Sequence, residues 1–415
     1  MAASPITFDP ANVWARIESL ARHGKHGDTG VSRPVYSPAW RAAQDEVAAW
    51  CESVGLDVRW DAVGNIWGVL KGSEADKKSI VTGSHIDSQR PGGRFDGVLG
   101  VISGVFALAA LKERYGTPKQ TLEVVSLCEE ESSRFPTTEF WGSRAITGRI
   151  KPDDLKNVIS YEGESIGEVM QAAGFDPSRV TEAIRTDLDA FIELHIEQGP
   201  LLETAGLPVG VVSAITGIRH YIVTVDGVSN HAGAFPMDLR RDPMAGAAEM
   251  ISNVINRAAN QGRPAVTTVG RISAEPNFPA IVPDRVTFMI DARHPDPAAR
   301  LKLYAEHEAA IHEIAERRGL NVEITDLKGH DPYICDPGLV STFEEAARTV
   351  GAPFQTMTSG AVHDTQRMGA IARGVMLFVR SKDGRSHTPA EYTSPEDAAL
   401  GIGVLTEGLR TLAYV

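Results

Sequence analysis

The most informative part of the sequence is residues 79–115, which read SIVTGSHIDSQRPGGRFDGVLGVISGVFALAALKERY. Its apolar start, Ser79 to Thr82, is typical of a buried strand, which we expect to end at Gly83. Its apolar end predicts a buried helix from Gly97 to Tyr115. The most apolar part, Gly97 to Leu111, is shorter than the roughly 20 residues that cross a bilayer. A buried strand that leads through a glycine-rich loop into a helix is typical of an open α/β sheet.

The same alternation continues on both sides of this stretch. Further buried strands are predicted at Leu122–Leu127, Ala190–Ile196 and Val375–Val379. Helices are predicted after Ser37 and after Ser394, because each serine can cap a helix and a proline follows it at the first helical position. We therefore predict an α/β catalytic domain with a central mixed sheet flanked by helices.

The middle of the chain has a different pattern, in which strands and helices suggest a separate α+β layer. The predicted elements are strands at His220–Val228, Thr267–Ile272, Arg285–Ala292 and Asn321–Thr325, and helices at Asp242–Ala259 and Ala298–Arg318. We therefore predict a discontinuous catalytic domain, residues 1–212 and 328–415. An inserted domain, residues 213–327, would hold an antiparallel sheet and two helices.

Composition restricts the possible partners of the protein. The chain has 415 residues, 42% of them hydrophobic and 23% charged, which indicates a globular protein rather than a disordered one. A net charge of −13 argues against binding to nucleic acid or to an anionic membrane surface. The three cysteines are widely spaced and form no disulfide framework. Together with an N-terminus that lacks a signal-peptide pattern, this predicts a soluble, cytoplasmic protein.

Polar residues that could carry chemistry follow four of the predicted strands. The four segments are GSHID (83–87) with GGRFDG (92–97), CEEESSRF (128–135), ELHIEQGP (193–200) and SHTP (386–389). Because ligands of an open α/β sheet bind at the carboxyl ends of its strands, we expect these segments to meet.

The residue types in these segments indicate a metal site. His85 alone is more consistent with a buried core histidine, and Asp96 alone with a helix cap. As a set, three histidines, one aspartate and one glutamate suit zinc, manganese or cobalt. Neighbouring carboxylates in the segment after Cys128 need a cation, and one can be a ligand while another is a general base. Asp87 could orient the imidazole of His85. We do not expect His307 and His312 to bind metal, because their spacing on the predicted helix places them on different faces.

The order of seven motifs resembles the dinuclear-metal amidohydrolases of the hydantoinase/carbamoylase type. The motifs are GSHID, GGRFDG, EEESSRF, ELHIEQGP, NHAG, SGAVHD and SKDGRSH, between about His85 and Tyr392. This family includes N-carbamoyl-L-amino-acid hydrolases, β-ureidopropionases and allantoate amidohydrolases. The resemblance implies metal-dependent hydrolysis of a C–N amide bond in an N-carbamoyl or related ureido acid, with release of ammonia and carbon dioxide.

The resemblance also implies the role of each matching residue. Two divalent metal ions per subunit, zinc, manganese or cobalt, would be bound by His85 and His195 at one ion, by Glu131 and His387 at the other, and by Asp96 between them. Glu130 would be the general base. His231 of the inserted lid or dimerisation domain would reach the active site of the other subunit of a homodimer. Gln198 and Arg293 would contact the carboxylate of a small-molecule substrate, and Arg219 would line the same pocket. His363 and Asp364 would lie near the site.

The chain departs from the family pattern around the substrate. Ala280 stands where the family usually has an asparagine that contacts the substrate. Val362 stands where the family's SGAGHD motif has its second glycine. The substrate is therefore open, with an N-acyl-amino-acid amidase or a dipeptidase as the alternative activity. A catalytically silent metal-binding homologue is the remaining alternative, although such a protein has less reason to retain Glu130 and His231.

Overall fold

The computed structural model of the protein describes residues 4–74 and 76–415. Its contacts divide the chain into two compact units. Unit 1 comprises the described residues of Met1–Ser213, Cys335–Met357 and His363–Val415, and unit 2 comprises Ala214–Ile334 and Thr358–Val362. The sequence predicts that the inserted domain begins at residue 213 and ends at residue 327. The structure continues unit 2 beyond 327 because the strand Asn321–His330 pairs along Gly217–Asp226 as far as His330.

Unit 1 contains a mixed sheet. Seven of its strands lie in the order Val209–Ile215, Arg373–Val379, Leu188–Ile196, Ser79–His85, Leu122–Leu127, Ile66–Leu70 and Asp57–Trp60, and Phe354–Ser359 also pairs with the first of them. The four strands from Arg373–Val379 to Leu122–Leu127 are parallel, and the strands beside them are antiparallel. The longer helices of unit 1 are Pro10–Ala21, Pro38–Ser53, Val98–Tyr115, Pro337–Val350 and Pro395–Tyr414. The predicted fold class is confirmed.

The strand predicted at Ser79 to Thr82 is longer than its sequence predicts. It continues through Gly83 and ends at His85, so His85 is its last residue. A side chain at Gly83 would overlap the carbonyl oxygen of Val125 on the neighbouring strand. Gly83 therefore permits close pairing of two buried strands instead of ending one of them.

Unit 2 contains a four-stranded antiparallel sheet with the strand order Val266–Glu275, Arg285–His294, Gly217–Asp226 and Asn321–His330. Alternate residues of the two central strands are buried, and they form one core with residues of the helices Pro243–Gln261 and Pro297–Arg318. Both helices therefore cover the same face of the sheet. A short ladder pairs Asn230–His231 with Ile281–Val282.

Among the described residues, no helix combines the length and the apolar character that crossing a bilayer requires.

Candidate active site

His85 is held at the end of its strand with one ring nitrogen directed at backbone and the other at carboxylates. Its Nδ1 lies 3.1 Å from the carbonyl oxygen of Asp87. Its Nε2 lies 3.7 Å from Asp96 Oδ1 and 3.7 Å from Glu130 Oε2. Because a carbonyl only accepts hydrogen bonds, we assign the ring proton to Nδ1. Nε2 is then an unprotonated nitrogen that can bind metal.

His195 has the same arrangement at the end of the neighbouring parallel strand Leu188–Ile196. Its Nδ1 lies 2.9 Å from the carbonyl oxygen of Ile196, and its Nε2 lies 3.1 Å from Asp96 Oδ1. The backbone N–H of Gly97 donates to the same Nε2 at 3.1 Å. Both histidines are almost completely buried, and the Nε2 atoms of their rings face the same carboxylate oxygen of Asp96.

The two carboxylate oxygens of Asp96 face different partners. Oδ1 faces the two buried histidines, whereas Oδ2 lies 3.3 Å from His387 Nε2. His387 Nε2 is also 3.3 Å from Glu131 Oε2. These side chains form two sets of donors, with His85, Asp96 and His195 in the first donor group and Asp96, Glu131 and His387 in the second. Asp96 is common to both groups, which is the geometry of a bridging carboxylate.

The three consecutive glutamates have separate environments. Glu129 is buried, has a positive φ of 50°, and accepts hydrogen bonds from the backbone of Arg134 and Phe135. The buried carboxylate of Asp87 accepts the N–H groups of Glu130 at 3.3 Å and Glu131 at 3.1 Å. Glu131 belongs to the second donor group, while Glu130 belongs to neither and lies beside His85. The residue types alone do not distinguish the two roles, and the assignment of Glu130 as base and Glu131 as ligand comes from the family resemblance.

The charges of this cluster favour a cation. Burial, followed by the charges of Glu131, Asp364 and Asp96, raises the pKa of Glu130 well above its usual range. Burial and the charge of Asp96 raise the pKa of Glu131 to about 8. At Asp96 burial also raises the pKa, but contact with His195 and His387 outweighs it and lowers the pKa well below the usual range. Burial lowers the pKa of both histidines, but contact with Asp96 outweighs it and raises each to about 9. A buried cluster of carboxylates and imidazoles fits divalent metals such as zinc, manganese or cobalt.

Comparison with known proteins identifies the family. The model of peptidase family M20/M25/M40 matches residues 81–411. The chain belongs to this family. It is 42% identical to the allantoate amidohydrolase of Bacillus subtilis, with 96% of each chain covered. It is 38% identical to an N-carbamoyl-L-amino acid amidohydrolase of Geobacillus stearothermophilus, covering 97% of this chain and 98% of the relative.

A crystal structure of a hydantoinase/carbamoylase-family amidase from Burkholderia multivorans matches the fold with a TM-score of 0.92. The two proteins are 33% identical, and 98% of each chain is covered. The resemblance to hydantoinase/carbamoylase-type amidohydrolases is thereby confirmed. This M20-family protein is a hydrolase of linear amides, and it carries groups of residues suited to metal.

Gln198 of this M20-family hydrolase contacts Asp96, the carboxylate that belongs to both donor groups. Its Nε2 donates to Asp96 Oδ2 at 2.9 Å, and its backbone is held at a positive φ of 58°. His387 also has a positive φ, 57°. Positive φ values outside glycine are uncommon and concentrate at functional sites, where the surrounding structure holds them.

A third set of possible donors, Glu193, His195 and His363, lies beside the first donor group. Glu193 already accepts hydrogen bonds from the hydroxyls of Ser84 at 2.7 Å and Thr365 at 2.6 Å. The ring of His363 packs against that of His195 with 4.7 Å between centroids. Glu193 is not among the predicted site residues, although a glutamate inside a mostly apolar strand is a visible signal in the sequence.

The other predicted site residues lie in unit 2. His231 is exposed, and its Nδ1 accepts the N–H groups of Gly233 at 3.0 Å and Ala234 at 3.1 Å. This fixes the ring proton on Nε2, which is then a hydrogen-bond donor. Ala280, the residue before the strand Ile281–Val282, accepts the N–H of Ala232 through its carbonyl oxygen at 3.0 Å.

The two predicted arginines differ in how many carboxylates pair with them. Arg219 donates to Asp326 at 2.6 Å and to Glu308 at 2.5 Å and stacks on Tyr221. Arg293 forms a bidentate pair with Asp291 at 2.9 and 2.8 Å and donates to the carbonyl of Gly360 at 2.9 Å. Two carboxylates already neutralise Arg219, so this geometry favours Arg293 as the arginine for a substrate carboxylate.

Proposed function

We propose that this protein hydrolyses the C–N amide bond of an N-carbamoyl amino acid or a related ureido acid and releases ammonia and carbon dioxide. The observation that carries the proposal is the position of Asp96 between the two donor groups, with Glu130 beside the first of them. Relatives support this substrate class, since they include allantoate amidohydrolases, N-carbamoyl-L-amino-acid amidohydrolases and a ureidoglycolate hydrolase of Oryza sativa.

The proposal includes two divalent metal ions per subunit, zinc, manganese or cobalt. The first donor group would hold one ion, the second would hold the other, and Asp96 would contribute one oxygen to each. Such ions lower the pKa of a water molecule and polarise a substrate carbonyl. Gln89 supports this assignment, because it donates to Glu131 Oε2 at 2.8 Å and fixes the orientation of that carboxylate.

We assign the proton transfers to Glu130. Its carboxylate takes the proton of the attacking water and later passes it to the leaving nitrogen. Glu130 is suited to this task because it belongs to neither donor group, while Asp87 holds its backbone beside His85. Gln198 and Arg293 are the proposed contacts for the substrate carboxylate. Arg219 stays a weaker proposal because of its two acidic partners.

We further propose a homodimer in which His231 stabilises the oxyanion at the partner's site. Its Nε2–H is a donor of the type that such a site needs. Within the described residues, the strand Val266–Glu275 is at the edge of its sheet, and it exposes Val266 and Ile272. An exposed apolar edge strand favours pairing with a second copy, and a two-fold axis would make the exchange of His231 reciprocal. A cytoplasmic location remains a proposal, in keeping with three buried, unpaired cysteines.

An ammonia-release screen tests the proposed reaction. The purified protein, supplied with manganese, cobalt or zinc, is incubated with N-carbamoyl amino acids, N-carbamoyl-β-alanine, allantoate and ureidoglycolate. We expect ammonia from at least one of them and none from the Glu130→Gln variant. Hydrolysis of N-acyl amino acids or dipeptides without ammonia release from ureido compounds would instead support the alternative activity. Turnover of neither class would leave the catalytically silent homologue.

A further inference from the structure

A buried glutamate that no motif argument singled out links the two loops that carry Asp96 and His387. Glu391 is 3% exposed, and its Oε1 accepts the backbone N–H of Phe95 at 2.8 Å and that of Asp96 at 3.0 Å. One carboxylate oxygen therefore fixes the backbone of the residue whose side chain lies between the donor groups.

The second oxygen of Glu391 contacts the other loop. Its Oε2 lies 2.8 Å from the hydroxyl of Ser386, the residue before His387. The same hydroxyl lies 2.7 Å from Asp96 Oδ2. Glu391 and Ser386 thus hold the Asp96 carboxylate from its backbone and from its side chain at once.

The neighbourhood of Glu391 is shaped to receive it. A side chain on Gly93 would overlap the Glu391 carboxylate, so the glycine leaves the space that this carboxylate fills. Tyr392 packs against Phe95 with 5.9 Å between ring centroids and against Trp14 with 6.0 Å. Polar and aromatic contacts of two consecutive residues therefore clamp the same short loop.

We propose that Glu391 is a positioning residue that fixes the Asp96 carboxylate where it belongs to both donor groups. The inference rests on the proposed metal dependence, because the consequence of a displaced Asp96 is weaker metal binding. Residues that orient metal ligands commonly change metal affinity by about 10–100-fold when they are replaced. Glu391 acts through its reach and its acceptor oxygens, and its negative charge is not required.

Two near-conservative variants separate position from charge. Glu391→Gln retains the length and one acceptor oxygen for both N–H groups, and its amide can donate to Ser386. Glu391→Asp retains the charge but shortens the side chain by one methylene, so that both loops cannot be reached together. We expect Glu391→Gln to bind manganese or zinc within about 3-fold of wild type. We expect Glu391→Asp and Glu391→Ala to bind them about 10–100-fold more weakly.

Metal affinity is measured on the full-length protein by competition with a chelating indicator, and the thermal unfolding of each metal-free variant is recorded beside it. Asp336→Ala is the control, because Asp336 of unit 1 also accepts a backbone N–H, that of Leu339 at 2.8 Å, outside both donor groups. We expect this control to lower stability without changing metal affinity.

Unchanged affinity in Glu391→Ala and Glu391→Asp would overturn the inference, as would a Glu391→Gln variant that binds metal as weakly as Glu391→Ala. If Glu391→Ala does not fold, the comparison of Glu391→Asp with Glu391→Gln decides. A wild-type protein that binds no metal would refute the proposed metal dependence itself, so the two failures can be told apart.

Discussion

Gly97 and His85 are packed so closely that no side chain fits between them: a Cβ atom on Gly97 would overlap the imidazole ring of His85. Gly97 has a positive φ of 66°, and its N–H donates to His195 Nε2 at 3.1 Å. Gly97 therefore contacts both histidines of the first donor group and is also the N-cap of the helix Val98–Tyr115. The glycine after Asp96 is a requirement of the site and of the turn into the helix.

Gly97→Ala should abolish activity and metal binding because the new methyl group displaces the His85 ring. Gly116 at the other end of the same helix is a matched control, since its φ is 72° and it has open space around its Cα. Each alanine is strained by its positive φ, at a cost of about 1–3 kcal/mol. Metal content by elemental analysis and ammonia release should therefore be lost in Gly97→Ala and retained in Gly116→Ala. Equal metal content in both variants would contradict this packing argument.

Glu130→Gln should remove nearly all turnover and leave the metal content near that of wild type, because Glu130 belongs to neither donor group. Glu131→Gln should lower metal occupancy, because its carboxylate pairs with His387 in the second donor group. Elemental analysis and ammonia release on the same preparations measure both effects. Loss of metal in Glu130→Gln, with none in Glu131→Gln, would show that the two assignments are reversed.

Dialysis against a strong chelator should abolish activity, and manganese, cobalt or zinc should restore it. The metal-free protein should also unfold at a lower temperature, because ions that bind only the folded state stabilise it by mass action. Activity assays and thermal unfolding before and after metal addition check both statements. Full activity in a preparation that elemental analysis shows to be metal-free would refute the metal dependence.

Much of this fold could be predicted because apolar stretches of strand length are distinctive. The strand Leu122–Leu127 has the predicted ends, and the helix predicted to begin at Gly97 begins at Val98 with Gly97 as its cap. The meeting of the polar segments could also be predicted, because each segment follows a recognisable strand and the carboxyl ends of parallel strands lie at one edge of the sheet. His85 and His195 lie on neighbouring parallel strands for that reason.

Contacts between distant segments could not be predicted from one sequence. Glu391 accepts the N–H of Asp96 although 295 residues separate them, and no local pattern indicates that contact. The side chains of Glu129 and Glu130 have different environments, and Glu129 has a positive φ that its residue type does not predict. His307 is buried, and the hydroxyl of Tyr221 on a sheet strand lies 2.8 Å from its Nδ1, a contact between distant segments that the local sequence also does not indicate.

His307 should make the stability of the protein depend on pH. Burial, followed by the charge of Arg257, lowers its pKa from 6.5 to about 4. Between these values the unfolded chain binds a proton at His307 that the folded protein does not. The contribution of His307 to stability is therefore complete above pH 6.5 and falls as the pH decreases towards 4. The loss is about 3 kcal/mol at most.

The free energy of unfolding in urea, measured between pH 4.5 and 7.5, checks this prediction by comparison with His307→Gln. The decrease at low pH should be smaller in that variant, because glutamine does not titrate. The exposed His312 lies on the same helix, so His312→Gln is the matched control and should follow the wild type. Parallel pH profiles for His307→Gln and wild type would show that His307 does not contribute.

The proposed exchange of His231 between subunits predicts complementation between two inactive variants. His231→Ala should be nearly inactive because removal of one oxyanion donor costs about 3–4 kcal/mol of transition-state stabilisation in other hydrolases. Glu130→Gln should be nearly inactive for lack of a general base. In a mixed dimer one site receives both substitutions and the other receives neither, provided that His231 acts on the partner's site.

Mixing the two variants under conditions that exchange subunits should therefore restore activity, up to about a quarter of the wild-type value. Random pairing makes half of the dimers mixed, and each mixed dimer has one intact site of two. Subunit exchange is verified independently with differently tagged chains. If exchange is complete and the mixture stays inactive, His231 acts within its own chain or has no catalytic role. The edge strand Val266–Glu275 would then contribute to dimer assembly without bringing His231 to the partner's site.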